Sequence, residues 1–160
     1  MGTEIFHTGA LGSGHATKAL NNYLGAAGTI AGFEALLVGE KFGLDPKVLI
    51  DVINASTGKN STTERKIPQQ VFTKAFASGF QLALMTKDVG IAREMARALG
   101  VKTPYLQNTL AIWRHAQLKL PSGADHTEMY RYLEGLSRPR RLRARVARPG
   151  RAPVRRPARP

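Results

Sequence analysis

The 160-residue chain contains no cysteine, which excludes disulfides and thiolate-held metals and agrees with a reducing compartment. No run of eighteen apolar residues occurs, so no membrane-spanning helix is expected. The start, Met1-Gly-Thr-Glu-Ile-Phe6, has neither the basic opening nor the apolar stretch of a secretion signal, and the expected location is cytoplasmic. Histidines are few and scattered (His7, His15, His115, His126), without metal-ligand spacing, so no metal site is expected. His115 and His126 read as surface residues. Acidic residues are missing altogether from residues 137 to 160, where ten arginines stand. Of the formal net charge of +13, only +3 is left for the remainder, so the basic character belongs to this tail and not to the body. The tail alternates arginine with proline and alanine and reads as disordered. A nucleic-acid-binding reading rests on it alone, because the body lacks basic clusters and aromatic platforms.

What is present suits one domain, with 42% apolar residues for a core. Glu4 to Thr8 is a short β-prone run ended by glycine, and residues 1 to 12 read as a remnant strand and linker. From 13 to 136 the patterning is helical throughout, so the fold class expected is all-α. The first helix runs from 13 to about 42. Asn21, Gly25, Gly28 and Gly32 fall on one stripe of it, offering a smooth surface for a second helix and, with it, self-association of two copies. Gly43-Leu-Asp-Pro46 closes that helix and opens the next, with Asp45 as N-cap and Val48, Leu49, Val52 and Ile53 directed inward. A further helix is expected from about Ser61 to just before Pro68, with a short one around 71 to 77. Others are expected over 80 to 100, from Pro104 to about 118 with Trp113 in the core, and from a capping box at Asp125-His-Thr-Glu128 to 136.

The most informative stretch is Gly9-Ala-Leu-Gly-Ser-Gly-His-Ala-Thr-Lys18-Ala-Leu-Asn-Asn22. Lys18 and Asn22 lie four residues apart and share one helix face near its start. The glycines before them leave backbone N–H groups that an anion can approach, next to the partial positive charge of the helix N-terminus. A lysine, an amide and such a turn suit an acidic small molecule; two solvated polar residues after a surface turn are the alternative. Gly12-Ser-Gly14-His-Ala-Thr17 also matches two glycines of the dinucleotide fingerprint, but the third position is threonine and no strand-helix-strand unit follows.

Four motifs in order, His7-x-Gly9-x-x-Gly12-x-Gly14-x-x-x-Lys18-x-x-Asn21-Asn22, Glu34-Ala35, Gly43-Leu-Asp-Pro46 and Phe80-x-x-x-Leu84-x-x-Lys87-Asp88, resemble the C-terminal half of the β-hydroxyacid dehydrogenases. That family includes the 3-hydroxyisobutyrate dehydrogenases and tartronate semialdehyde reductases. The resemblance implies a multi-helix domain like the C-terminal domain of 6-phosphogluconate dehydrogenase, oligomerised through its long helices, whose usual partner is a Rossmann domain. No Rossmann pattern occurs in this sequence, so the chain alone is expected to be inactive and to bind NAD or NADP weakly. By the same resemblance Lys18 is the catalytic lysine and Asn22 orients the substrate, a small hydroxyacid. Gly14 would help hold the substrate carboxylate. Lys87 would contact the nicotinamide cofactor, with Phe80 and Asp88 beside it.

The chemistry agrees with those residue types. Oxidising an alcohol by hydride transfer requires the hydroxyl proton to leave with the hydride, and the reverse reaction requires a donor to the forming alkoxide. A lysine does both when burial and neighbouring charge bring an amine from about 10.4 toward about 7–8.

Overall fold

A thirty-residue helix, α1 (Ser13–Phe42), forms the spine of the computed structural model, which describes residues 4–137. At 1.5 Å per residue it is about 45 Å long. Gly12, at φ 93°, turns the chain into it, and Gly43, at φ 96°, ends it by donating its N–H to the carbonyls of Gly39 and Glu40. Both positions need the left-handed backbone that glycine adopts without penalty. Asp45 caps α2 (Pro46–Asn54) through the N–H groups of Lys47 and Val48, at 2.9 and 3.0 Å. Helices α3 (Leu82–Ala98), α4 (Pro104–Lys119) and α5 (Met129–Ser137) complete the α-helical set. α1 packs chiefly on α3, and α3 on α4. Phe33 and Leu36 of α1, Val89 of α3, Trp113 of α4 and Met129 of α5 are completely buried in the core between them.

No strand forms among the described residues, in agreement with an all-α reading; the one bridge is between Gln81 and Asp125. Residues 4–8, expected as a remnant strand, take no regular structure, and Ile5 and Phe6 are exposed. A strand needs a neighbour to satisfy its N–H and C=O groups, and the described residues offer none. The arginine-rich tail beyond 137 lies outside the described residues.

Three local expectations are corrected. In α2 the buried position is Ile50, flanked by half-buried Leu49 and Ile53, whereas Val48 and Val52 are exposed. The inward face follows positions 46, 49, 50 and 53, rotated from the one expected. The segment expected to stop before Pro68 is a ten-residue π-helix, Thr62–Val71, that continues through it. Its wider turn bonds Phe72 N–H to the Ile67 carbonyl, five residues back, at 3.0 Å. Asn60 fixes its start, accepting from Thr62 N–H at 2.9 Å while its own N–H donates to Thr63 Oγ1 at 3.0 Å. No helix covers 72 to 77. Lys74 and Phe76 have left-handed φ values of 59° and 46°, and the Phe76 ring is buried beneath Tyr130 and the Arg131 guanidinium, 4.1 Å from its centroid. Burial of an aromatic ring offsets a backbone conformation that costs about 1–3 kcal/mol.

The later half of the glycine stripe of α1, Gly28 and Gly32, is already covered by the same chain, whereas Gly25 has nothing within 4 Å of an added Cβ. A Cβ at Gly28 would stand 3.6 Å from Asn60 Oδ1, and one at Gly32 would stand 3.2 Å from Thr62 Cγ2. Gly28 and Gly32 let the start of the π-helix lie against α1, so they offer no free surface to a second copy.

Candidate functional site

Where α1, the π-helix and the entry to α3 meet, a cleft of about 490 Å³ opens. α1 contributes Lys18, Asn21, Asn22, Leu24 and Gly25; the π-helix and its lead-in contribute Asn60, Ser61, Arg65 and Lys66. Phe80, Met85 and His126 close the third side. Three cations and no carboxylate line it, so its field selects anions.

The α1 wall follows from helical spacing. Lys18 and Asn22 stand one turn apart, as their sequence positions require. Lys18 is exposed at the cleft, whereas Asn22 is buried. Asn22 Nδ2 donates to Asp88 Oδ2 on α3 at 2.6 Å. A carboxylate only accepts, so this bond fixes which end of the amide points to Asp88. Asp88 in turn lies 3.9 Å from Lys87 Nζ.

The opposite wall is built by the π-helix. Lys66 is half-buried, and its Nζ donates to Thr29 Oγ1 at 2.7 Å. Thr29 donates its hydroxyl hydrogen to the Gly25 carbonyl at 2.8 Å and lies 3.1 Å from Thr62 Oγ1. Burial pushes the Lys66 ammonium down to about 8, helped by the neighbouring Arg65 charge and opposed by Asp125.

The third side is held by Asp125. Its carboxylate accepts from Ser78 Oγ, Gly79 N–H, Phe80 N–H, Thr127 N–H and Thr127 Oγ1. Burial opposes its charged form, but the bonds from Thr127 and Ser78 and the neighbouring His126 hold the carboxyl below the usual carboxylate range. Asp125 caps a 3₁₀ turn, His126–Glu128, ahead of α5; Glu128 pairs with Arg131, so the reciprocal half of the expected capping box is not made. Backbone pairing of His126 N–H with the Phe80 carbonyl, at 2.9 Å, sets the His126 ring edge-on to Phe80, with 5.7 Å between centroids. His126, expected at the surface, is therefore buried. Its pKa is lowered, first by burial and then by Lys66. Nδ1 lies 3.1 Å from the Phe80 carbonyl, which can only accept, so Nδ1 carries the hydrogen. His115 does lie at the surface, bonded to the Tyr132 hydroxyl.

Of the residues singled out from the sequence, Lys18, Asn22 and Phe80 meet at this cleft, and Asp88 joins through Asn22. Lys87 is exposed and borders a separate depression with Gly90, Ile91 and Glu94. Gly14 sits exposed in the first turn of α1 and is not part of the cleft wall. Arg65, Lys66 and His126 were missed. The adjacent pair Arg65-Lys66 was a visible signal, but a helix drawn to stop before Pro68 gives no face to assign it to.

Comparison with known proteins bears on the family and the fold. Residues 12–133 match the family model described as the NAD-binding domain of NADP-dependent 3-hydroxyisobutyrate dehydrogenase. The mitochondrial 3-hydroxyisobutyrate dehydrogenase of Rattus norvegicus is 35% identical over 141 residues, which are 83% of this chain and 42% of that protein. The 2-(hydroxymethyl)glutarate dehydrogenase of Eubacterium barkeri is 35% identical over 104 residues, 65% of this chain and 35% of that protein. Among solved structures, Mycobacterium tuberculosis 3-hydroxyisobutyrate dehydrogenase with L-serine superposes with a TM-score of 0.75 at 31% identity, covering 81% of this chain and 46% of that one. The chain thus spans less than half the length of these relatives.

Proposed function

The chain belongs to the 3-hydroxyisobutyrate dehydrogenase family, and on that premise we propose that it supplies the lysine-bearing half of an NAD(P)-dependent 3-hydroxyacid dehydrogenase site. The substrate is a small β-hydroxyacid or its semialdehyde. The observation that carries this reading is the Lys18/Asn22 pair on the wall of a cationic cleft, with the Asn22 amide tethered to Asp88.

In this reading the acid enters as its carboxylate, attracted by Lys18, Arg65 and Lys66. One N–H of Asn22 is held by Asp88, which leaves the other to donate to the substrate hydroxyl oxygen. Lys18 takes the hydroxyl proton on Nζ as the carbon-bound hydrogen departs as hydride, and returns it to the alkoxide in reduction. A bound nicotinamide cofactor supplies the hydride acceptor or donor. The cleft suits only part of such a cofactor. The Phe80 ring would give its nicotinamide end an apolar flank, but the described residues contain no strand, glycine turn and helix to cradle a pyrophosphate. Turnover therefore needs a nucleotide-binding unit, and these 160 residues alone bind the dinucleotide weakly. The same reading has the protein as a homo-oligomer. Exposed Leu20, Leu24, Val38 and Phe42 of α1, rather than the glycine stripe, are the surface to cover, and light scattering at high concentration tests it.

Nuclear magnetic resonance titration of the chain with 3-hydroxyisobutyrate is the direct test. The side-chain amides of Asn21 and Asn22 should shift in the wild type and stay still in Lys18→Ala. Undisturbed amides in the wild type at saturating acid would sink the assignment. Calorimetry with NADH and NADPH should give dissociation constants weaker than micromolar; tight binding would place a complete cofactor site within the helices.

A further inference from the structure

We infer that His126 selects among substrates: its Nε2 accepts a hydrogen bond from a hydroxyl on the carbon next to the carboxylate, so that the cleft prefers 2,3-dihydroxyacids to β-hydroxyacids with an alkyl group there. This rests on the reading of Lys18 and Asn22 as the place where the alcohol reacts, and goes beyond it by giving the third side of the cleft a task.

The first observation is the tautomer. Nδ1 lies 3.0 Å from Ser78 Oγ and 3.1 Å from the Phe80 carbonyl oxygen. The Ser78 hydroxyl hydrogen goes to the Asp125 carboxylate, 2.9 Å away, so its oxygen meets Nδ1 as an acceptor, as the carbonyl does. Nδ1 therefore carries the hydrogen. With the ring's pKa lowered by burial and by Lys66, the ring is neutral at pH 7 and Nε2 presents a lone pair.

Second, that lone pair is without a partner and meets solvent at the cleft. The His126 side chain is only 6% exposed, and among the described residues Nε2 makes no hydrogen bond. Yet it is not one of the side-chain atoms buried without a partner, Asn54 Oδ1 and Trp113 Nε1, so it keeps contact with solvent, and the cleft is the opening that His126 borders. The other buried polar side chain on the wall, Asn22, has its oxygen engaged by the Asn21 amide at 3.5 Å. In an open cleft water serves Nε2. Under a bound ligand and cofactor the donor must come from the ligand, and a site built around such a group discriminates against the analogue lacking it.

Third, the surroundings of His126 say which donor. Lys18, Arg65 and Lys66 repel an ammonium, which leaves a hydroxyl. Lys66 stands near enough for its charge to act on the His126 ring. A carboxylate drawn to Lys66 thus brings its adjoining carbon toward His126. In the smallest β-hydroxyacids the carboxylate takes one carbon and the reacting alcohol another, so the donor sits on the carbon between them.

The test compares glycerate with 3-hydroxyisobutyrate, which carries a methyl group where glycerate has a hydroxyl of similar size. Each is titrated into the 160-residue chain, and binding is read from the Asn22 side-chain amide and from the nitrogen resonance of His126 Nε2. The better-bound enantiomer of glycerate should bind at least about threefold more tightly, as expected of a neutral hydrogen bond. It should also move the Nε2 resonance upfield, as acceptance of a hydrogen bond does, whereas 3-hydroxyisobutyrate should leave it in place. His126→Phe, which fills the space without an acceptor, should abolish the preference; His126→Gln, whose oxygen can stand where Nε2 does, should keep part of it. Should His126→Phe fail to fold, the wild-type resonance decides alone. Equal affinities, or an Nε2 resonance unmoved by glycerate, would overturn the role of His126, while shifts at Asn22 would leave the reading of Lys18 and Asn22 standing. A resonance moved by NADH and not by glycerate would overturn it too, by giving the acceptor to the cofactor. Binding of neither acid would overturn both.

Discussion

Asn22 Nδ2 and Asp88 Oδ2, 66 positions apart in sequence, meet at 2.6 Å and join α1 to α3 directly beside Lys18. The bond turns an amide that could rotate into one with a fixed donor. Asp88→Ala should therefore cost about 1.5–3 kcal/mol of stability, the range for a bond to a charged group, measured by urea unfolding. The Asn22 side-chain resonances should also broaden or shift, and unchanged resonances would show that packing alone orients the amide.

Lys18 is exposed, so its removal touches no core. Lys18→Ala should change folding stability by less than about 0.5 kcal/mol. When the chain is joined to a nucleotide-binding unit, the same substitution should lower kcat by well over about tenfold. A variant retaining kcat within that factor would remove Lys18 from the acid/base role.

Lys66 should act in the opposite sense. In the unfolded chain its amine titrates near 10.5, and in the fold near 8, so between those values the unfolded state holds the extra proton. Stability then rises with pH from about 8 to 10.5, and below 8 the folded protein bears a cost of about 3 kcal/mol. Lys66→Met should raise the melting temperature at pH 7 and flatten the alkaline rise. A lower melting temperature would mean that the Thr29 contact outweighs the desolvation.

His126 gives a second pH signature. Its folded pKa lies below the ordinary 6.5, so the unfolded state takes up the proton first as pH falls. Stability should decline as pH drops through about 6.5, with the slope reduced in His126→Gln. Denaturant midpoints at pH 7.5 and 5.5 are sufficient to test it.

The helix glycines divide by what faces them. Gly25 has nothing within 4 Å of an added Cβ, so Gly25→Ala should stabilise α1 by about 0.5–1 kcal/mol. Gly32→Ala would push a methyl to 3.2 Å from Thr62 Cγ2, and Thr62 is fully buried against Thr29, so it cannot retreat. That substitution should destabilise by about 1–3 kcal/mol, as overpacking does. Thermal melts of the two variants should therefore move in opposite directions.

The sequence was most legible where local chemistry decides structure. Gly43, Asp45 and Pro46 placed the end of α1 and the start of α2, and the four-residue spacing of Lys18 and Asn22 placed both on one wall of the cleft. Legibility failed where a distant partner decides. Nothing near His126 in sequence shows that its backbone will pair with Phe80 and bury the ring. Pro68 read as a stop because an α-helix loses an i−4 bond there, whereas the π-helix accommodates it. The glycine stripe was correctly seen as a close approach, but spacing alone does not say whether the approaching backbone comes from another copy or from Thr62 of the same chain.

The π-helix also makes the far wall of the cleft sensitive to chain length in a way that side-chain replacement is not. A π turn holds about one more residue than an α turn, so it is one residue away from ordinary α-helical register. Removing Glu64 would leave the Asn60 cap in place and draw every later side chain back by one helical position. Arg65 and Lys66 would leave the cleft together and Ile67 would leave the core. A deletion of one codon here would do what no conservative substitution can: keep every functional residue in the polypeptide and unmake the site.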